Sequence, residues 1–103
     1  MLFRSDRVAH VHLKDVDGAV LAAAKAGAWS FGQALTSWIF PALGQGIARV
    51  PEVVATLLAR GYDGWFVLEQ DTTPDDPKAV ARANRLYLEG LLPTLPPAAP
   101  IAR

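Results

Sequence analysis

Residues 8–15, VAHVHLKD, set two histidines and then a lysine and an aspartate into an apolar run. Val8, Ala9, Val11 and Leu13 around His10 and His12 predict a short buried strand. The alanine-rich stretch DGAVLAAAKAG follows, with Asp17 as N-cap and Gly27 as stop, and predicts a helix. WSFGQALTSWIF spaces Trp29, Phe31, Leu35 and Trp38 irregularly, consistent with a short helix or a folded-over loop. PALGQG is turn chemistry. From Pro51 the pattern turns helical: Val53, Val54, Leu57 and Leu58 recur at helical spacing until Gly61. A second apolar run over residues 65–69 predicts a strand covered on both faces. A polar loop, QDTTPDDP, precedes a last helix over residues 77–92 with Val80, Ala83, Leu86, Tyr87 and Leu91 as its buried stripe. PTLPPAAPIAR cannot continue that helix, so residues 93–103 are expected to form a flexible tail.

Short strands separated by helices imply an α/β fold with parallel βαβ connectivity. In such sheets functional groups gather at the C-terminal ends of the strands. His12, Lys14 and Asp15 close the first strand, while Glu69, Gln70 and Asp71 close the second. Both clusters therefore fall on one edge of the sheet.

Composition narrows the classes. At 103 residues the chain is a single small domain at most, and 51% hydrophobic content allows a packed core. Ten basic residues balance ten acidic ones, which leaves no footprint for nucleic acid or an anionic membrane. Without cysteine there is neither a disulfide framework nor a thiolate metal site. No apolar run approaches the roughly 18 residues of a membrane span, and MLFRSDRVAH lacks the features of a signal peptide. The expectation is a cytoplasmic protein.

His12 and Glu69 are the leading site residues. Imidazole nitrogen with carboxylate oxygen suits Mn, Co, Fe or Zn better than Ca. From spacing alone, a core histidine and a strand-capping glutamate account for the pair equally well. His10 shares the parity of His12 and is assigned a supporting or packing role. Lys14 is taken to leave the strand opposite His12, so that only a twist at the strand end carries it toward a ligand. Asp15 either orients a ligand or caps the next segment. LGQG could cradle a phosphate through backbone N–H groups, although two glycines are also common in ordinary turns. Trp29, Trp38 and Trp65 are read as core, with Trp29 or Phe31 as a secondary choice to wall a sugar-like ligand.

Together RVAHVHLKDV, PALGQG, LLARGYDGWFVLEQD and ANRLYLEGL resemble the C-terminal part of the xylose-isomerase-like TIM barrels, which include sugar phosphate isomerases and epimerases. Within them, the long insertion between HLKD and LGQG and the phrase GYDGWFVLEQD look most like the myo-inosose-2 dehydratases. The resemblance covers residues 7–92 and implies, for residues 1–92, the last two βα units of a (β/α)8 barrel, strands 7 and 8 with their helices. A full barrel takes about 250 residues, so roughly the first two thirds is expected to lie outside this sequence. In that superfamily two glutamates, an aspartate and a histidine hold a divalent metal. The histidine carries over onto His12 and the last glutamate onto Glu69. Mn or Co is the implied ion, with Mg or Zn as alternatives. GIARV after LGQG departs from an acidic-then-aromatic pattern, so Ala48 and Arg49 weaken the case for a substrate contact in that turn.

The implied reaction removes the proton alpha to the carbonyl of a polyol ketone such as inosose (2-keto-myo-inositol). The base would be a metal-bound carboxylate, Glu69 or its counterpart, and Lys14 is a candidate to assist a leaving hydroxyl. A dehydratase then loses water, whereas an isomerase or epimerase returns the proton elsewhere. The rival reading is a non-catalytic remnant or assembly module. Two strands with open edges further predict self-association, or a partner chain that supplies the rest of the barrel.

Overall fold

The computed structural model describes residues 7–95. Strand β1 (Val11–Leu13) pairs in parallel with β2 (Phe66–Leu68), in the register Val11↔Phe66, His12↔Val67 and Leu13↔Leu68. The Glu69 N–H donates to the Leu13 carbonyl at 2.9 Å and carries the ladder one step past β2. A parallel pair needs a long crossover. Here it contains α1 (Gly18–Gly27), α2 (Phe31–Thr36) and α3 (Val50–Ala59), and α4 (Pro77–Leu91) follows β2. The expected α/β organisation with parallel strands is therefore present.

Local chemistry fixes the helix ends. The Asp17 side chain accepts from the Val20 N–H at the start of α1, and Asp76 does the same for Ala79 in α4. The left-handed residue that ends α1 is Ala28, at φ 50°, one place later than the expected stop at Gly27. Ser30 and Gln33 form a reciprocal capping box on α2, which resolves the irregular WSFGQALTSWIF stretch into a helix. Pro51 sits in the first turn of α3. Gly61, at φ 85°, closes that helix by donating to the Leu58 carbonyl.

The core lies on one face of the sheet, where Leu13, Leu43, Val50, Val54 and Leu88 pack together with Val11, Phe66 and Leu68 against them. Within this chain, the second strand, whose apolar run predicts cover on both faces, is thus covered on one. Val11, Leu13 and Asp15 turn inward, whereas His10 and His12 are exposed. The tryptophans follow the same asymmetry: Trp65 is 80% and Trp38 43% exposed, so neither is the core residue expected. The inner stripe of α4 is Val80, Asn84 and Leu88, while Ala83 and Leu86 face solvent. A polar side chain holds the middle of that stripe, which hydrophobic patterning alone could not locate. A 3-10 turn, Leu92–Thr94, follows α4, and Leu95 packs against the core cluster. The remainder of the expected tail, residues 96–103, lies outside the described residues.

Candidate functional site

The bare face of the sheet gathers the polar strand-end groups. His10, His12 and Lys14 are two residues apart and so share this face, which corrects the opposite orientation expected for Lys14. The register sets Val67 beside His12 and brings Glu69 level with Lys14. His12 Nδ1 lies 3.5 Å from Glu69 Oε1, and the Lys14 ammonium lies 2.8 Å from Glu69 Oε2. Asp71 Oδ2 takes a second ammonium proton at 2.7 Å, and the Phe40 ring centroid lies 4.3 Å from the same nitrogen. On the far side His10 Nε2 meets His12 Nε2 at 3.1 Å, with the rings edge to face.

These contacts set the charges. The Lys14 hydrogen bond holds the Glu69 carboxyl below its ordinary range; partial burial opposes this, and the charges of Lys14 and His12 add to it. Partial desolvation pulls Lys14 downward. The hydrogen bonds and charges of Asp71 and Glu69 together outweigh it and raise the ammonium above its ordinary value. The cluster therefore contains an ionised carboxylate and a firmly protonated amine at neutral pH.

Asp15 turns away from this cluster. It is 1% exposed, and its two oxygens accept the backbone N–H groups of Val16, Gly44, Gly46 and Ala48 at 2.8–3.1 Å. Burial pushes its carboxyl up, but the four N–H donors, Ala48 foremost, outweigh that and hold it below the usual aspartate range. The loop N–H groups that could have cradled a phosphate are thus taken by the chain's own carboxylate. Gly46 is required there: a Cβ would strike the Val16 carbonyl oxygen and Asp15 Oδ1.

Sequence reasoning did not select Asp71 and Phe40 as site residues. Asp71 stands two places beyond Glu69, so its parity was the available signal; Phe40 arrives from the crossover and leaves none. Gln70, between the two acids, faces the opposite way. Its amide donates to the Phe40 and Thr72 carbonyls at 2.6 and 2.9 Å and accepts from Asn84 at 3.1 Å. A cleft of about 630 Å³ opens beside Asp71, walled by Trp38, Gln70, Thr73 and Asn84. Trp29 and Phe31, the aromatics considered for a sugar wall, do not line it.

His12 Nδ1 and Glu69 Oε1, 3.5 Å apart, set a nitrogen beside an oxygen donor, the mixed pair that suits a borderline ion. Among the described residues no group of three or more histidine, cysteine or acidic side chains could hold a metal. The pair fits as part of a ligand set.

No family model matches the chain, and no solved structure does. Curated proteins do. The similarity is to inosose dehydratases. One from Bacillus licheniformis (strain ATCC 14580) is 37% identical over 93 residues, which cover 88% of this chain and 31% of the relative. Another, from Geobacillus thermodenitrificans, is 39% identical over 85 residues, covering 81% and 28%. The rhizopine catabolism protein MocC of Rhizobium meliloti is 42% identical over 69 residues, covering 67% and 21%. The chain spans less than a third of the length of these relatives. Its relationship to the dehydratases holds over that part. Among the described residues, no helix is long and apolar enough to cross a membrane.

Proposed function

We propose that this chain forms two βα units of a (β/α)8 barrel that dehydrates inosose, and that it supplies His12 and Glu69 to a bound divalent metal, Mn or Co. The carrying observation is the approach of His12 Nδ1 to Glu69 Oε1 at the ends of paired parallel strands. The relatives' name, inosose dehydratase, supplies the substrate class, a small polyol ketone. The other metal donors come from outside residues 7–95, whether from further polypeptide, a second copy or a partner chain.

When bound, the ion supplies Lewis acidity to the ketone oxygen. Glu69 acts as a ligand: Oε2 is engaged by Lys14 and Oε1 faces His12. A metal-bound carboxylate, Glu69 or a counterpart on another strand, would take the proton alpha to the carbonyl. Loss of the β hydroxyl makes the reaction a dehydration, and return of the proton would make it an isomerisation; product analysis separates the two.

The test is calorimetric titration of the chain with Mn²⁺ and Co²⁺, beside His12→Ala and Glu69→Ala. Weak binding by wild type, abolished by each substitution, supports the ligand pair. Absence of binding, or binding that survives both substitutions, overturns it and leaves the assembly-module reading. Dehydration is tested separately, by adding inosose and the metal to the chain combined with the remaining two thirds of a relative.

A further inference from the structure

The Lys14 ammonium has three protons and three neighbours: Glu69 Oε2, Asp71 Oδ2 and the face of Phe40. All three neighbours are the chain's own groups. What the ammonium does is divide the two oxygens of Glu69. Oε2 is held at 2.8 Å by Lys14, and only Oε1 is presented toward His12. Asp71 grips the same ammonium at 2.7 Å from the other side, while the ring beneath restricts the end of an otherwise mobile four-carbon stem.

The geometry points to Lys14 and Asp71 as positioning residues that restrict Glu69 to one-oxygen coordination and so bias the site against Ca²⁺. This deepens the ligand-pair reading and rests on it. Ca²⁺ takes six to eight oxygens at 2.3–2.6 Å and readily uses both oxygens of one carboxylate. Ions that accept imidazole with a single carboxylate oxygen, such as Mn²⁺, lose nothing when Oε2 is occupied. The selectivity arises in the pair behind the ligand rather than in the ligand itself. Phe40 belongs to the same device, since it closes the third side of the ammonium.

The experiment follows Mn²⁺-induced broadening of the His12 ring resonances, a readout that detects millimolar binding and needs no activity, with Ca²⁺ as competitor. In wild type, excess Ca²⁺ should leave the broadening in place. In Lys14→Met, the preference for Mn²⁺ over Ca²⁺ should fall about tenfold, the size of effect typical for a group behind a metal ligand. Asp71→Asn should fall part of the way, and Lys14→Arg, whose fork can hold both carboxylates, should restore most of the preference. A purely electrostatic or structural Lys14 would change both ions alike, because they carry the same charge. An unchanged ratio in Lys14→Met, with wild-type broadening that requires His12 and Glu69, overturns the positioning role and leaves the ligand pair standing. No broadening in wild type overturns both.

Discussion

Asp15 satisfies four backbone N–H groups with two oxygens, and three of those groups lie 29 to 33 residues away in the loop before α3. Asp15→Ala would leave these donors unpaired in a buried setting and should cost about 3 kcal/mol, measured by urea unfolding. Asn is a poor substitute, because its amide would aim donors at donors. The pH dependence follows from the lowered carboxyl. The contribution is fully present above the ordinary aspartate value of about 3.9 and is lost as pH falls through the lower folded value. Stability of the wild type should therefore decline steeply below pH about 4, and Asp15→Asn should flatten that limb. Steep acid loss retained in Asp15→Asn would assign it to other groups. Gly46→Ala tests the same clasp from the loop side: overpacking against Val16 and Asp15 should cost about 2 kcal/mol. A strand-end aspartate was visible in HVHLKD, and so was a glycine turn in LGQG. That each is the other's partner was not, because nothing local marks a contact across the crossover.

At the scale of elements, the helices were legible wherever their signals were local. Asp17 at the start of α1, Pro51 in α3 and Gly61 after it all work as their positions suggested. The α4 stripe misled because Asn84 behaves as a core residue. It is 2% exposed, its carbonyl accepts the Leu43 N–H at 2.9 Å, and its amide reaches Gln70. Through Gln70 the bond passes to the Phe40 carbonyl, the same residue whose ring backs Lys14. α4 is thereby tied both to the crossover loop and to the strand end that carries Glu69. Asn84→Leu keeps the volume but strands a buried donor at Leu43 and an acceptor on Gln70. It should lose about 2 kcal/mol and speed hydrogen exchange at the Leu43 amide well beyond the change in global stability. Exchange at Leu43 that merely tracks global stability would mean the loop is held by other contacts. His12 and Glu69 were legible as candidates because both close strands. Their convergence depended on a register that periodicity does not give.

At the scale of the molecule, the dimensions are 47 × 33 × 20 Å, with a radius of gyration of 15.4 Å. A compact domain of this length measures about 13 Å. The sheet is clothed on one face only: α3 and α4 supply Val50, Val54 and Leu88 to the core beneath Leu13, while the opposite face presents His10, His12 and Trp65. A two-stranded sheet has an unpaired backbone edge on each side, and such edges recruit further strands. Trp65, 80% exposed beside the strand, adds apolar surface to that face. Assembly that covers the bare face would bury Trp65, pair the edges and bring further donors toward His12 and Glu69. The expected behaviour is therefore association coupled to folding, with sedimentation velocity between roughly 1 and 100 µM showing mass that rises with concentration and a melting temperature that rises with it. Trp65→Lys should weaken the association without touching Leu13 or the core beneath it. A monomer that melts cooperatively at the same temperature across the whole range would show instead that the one-sided core suffices.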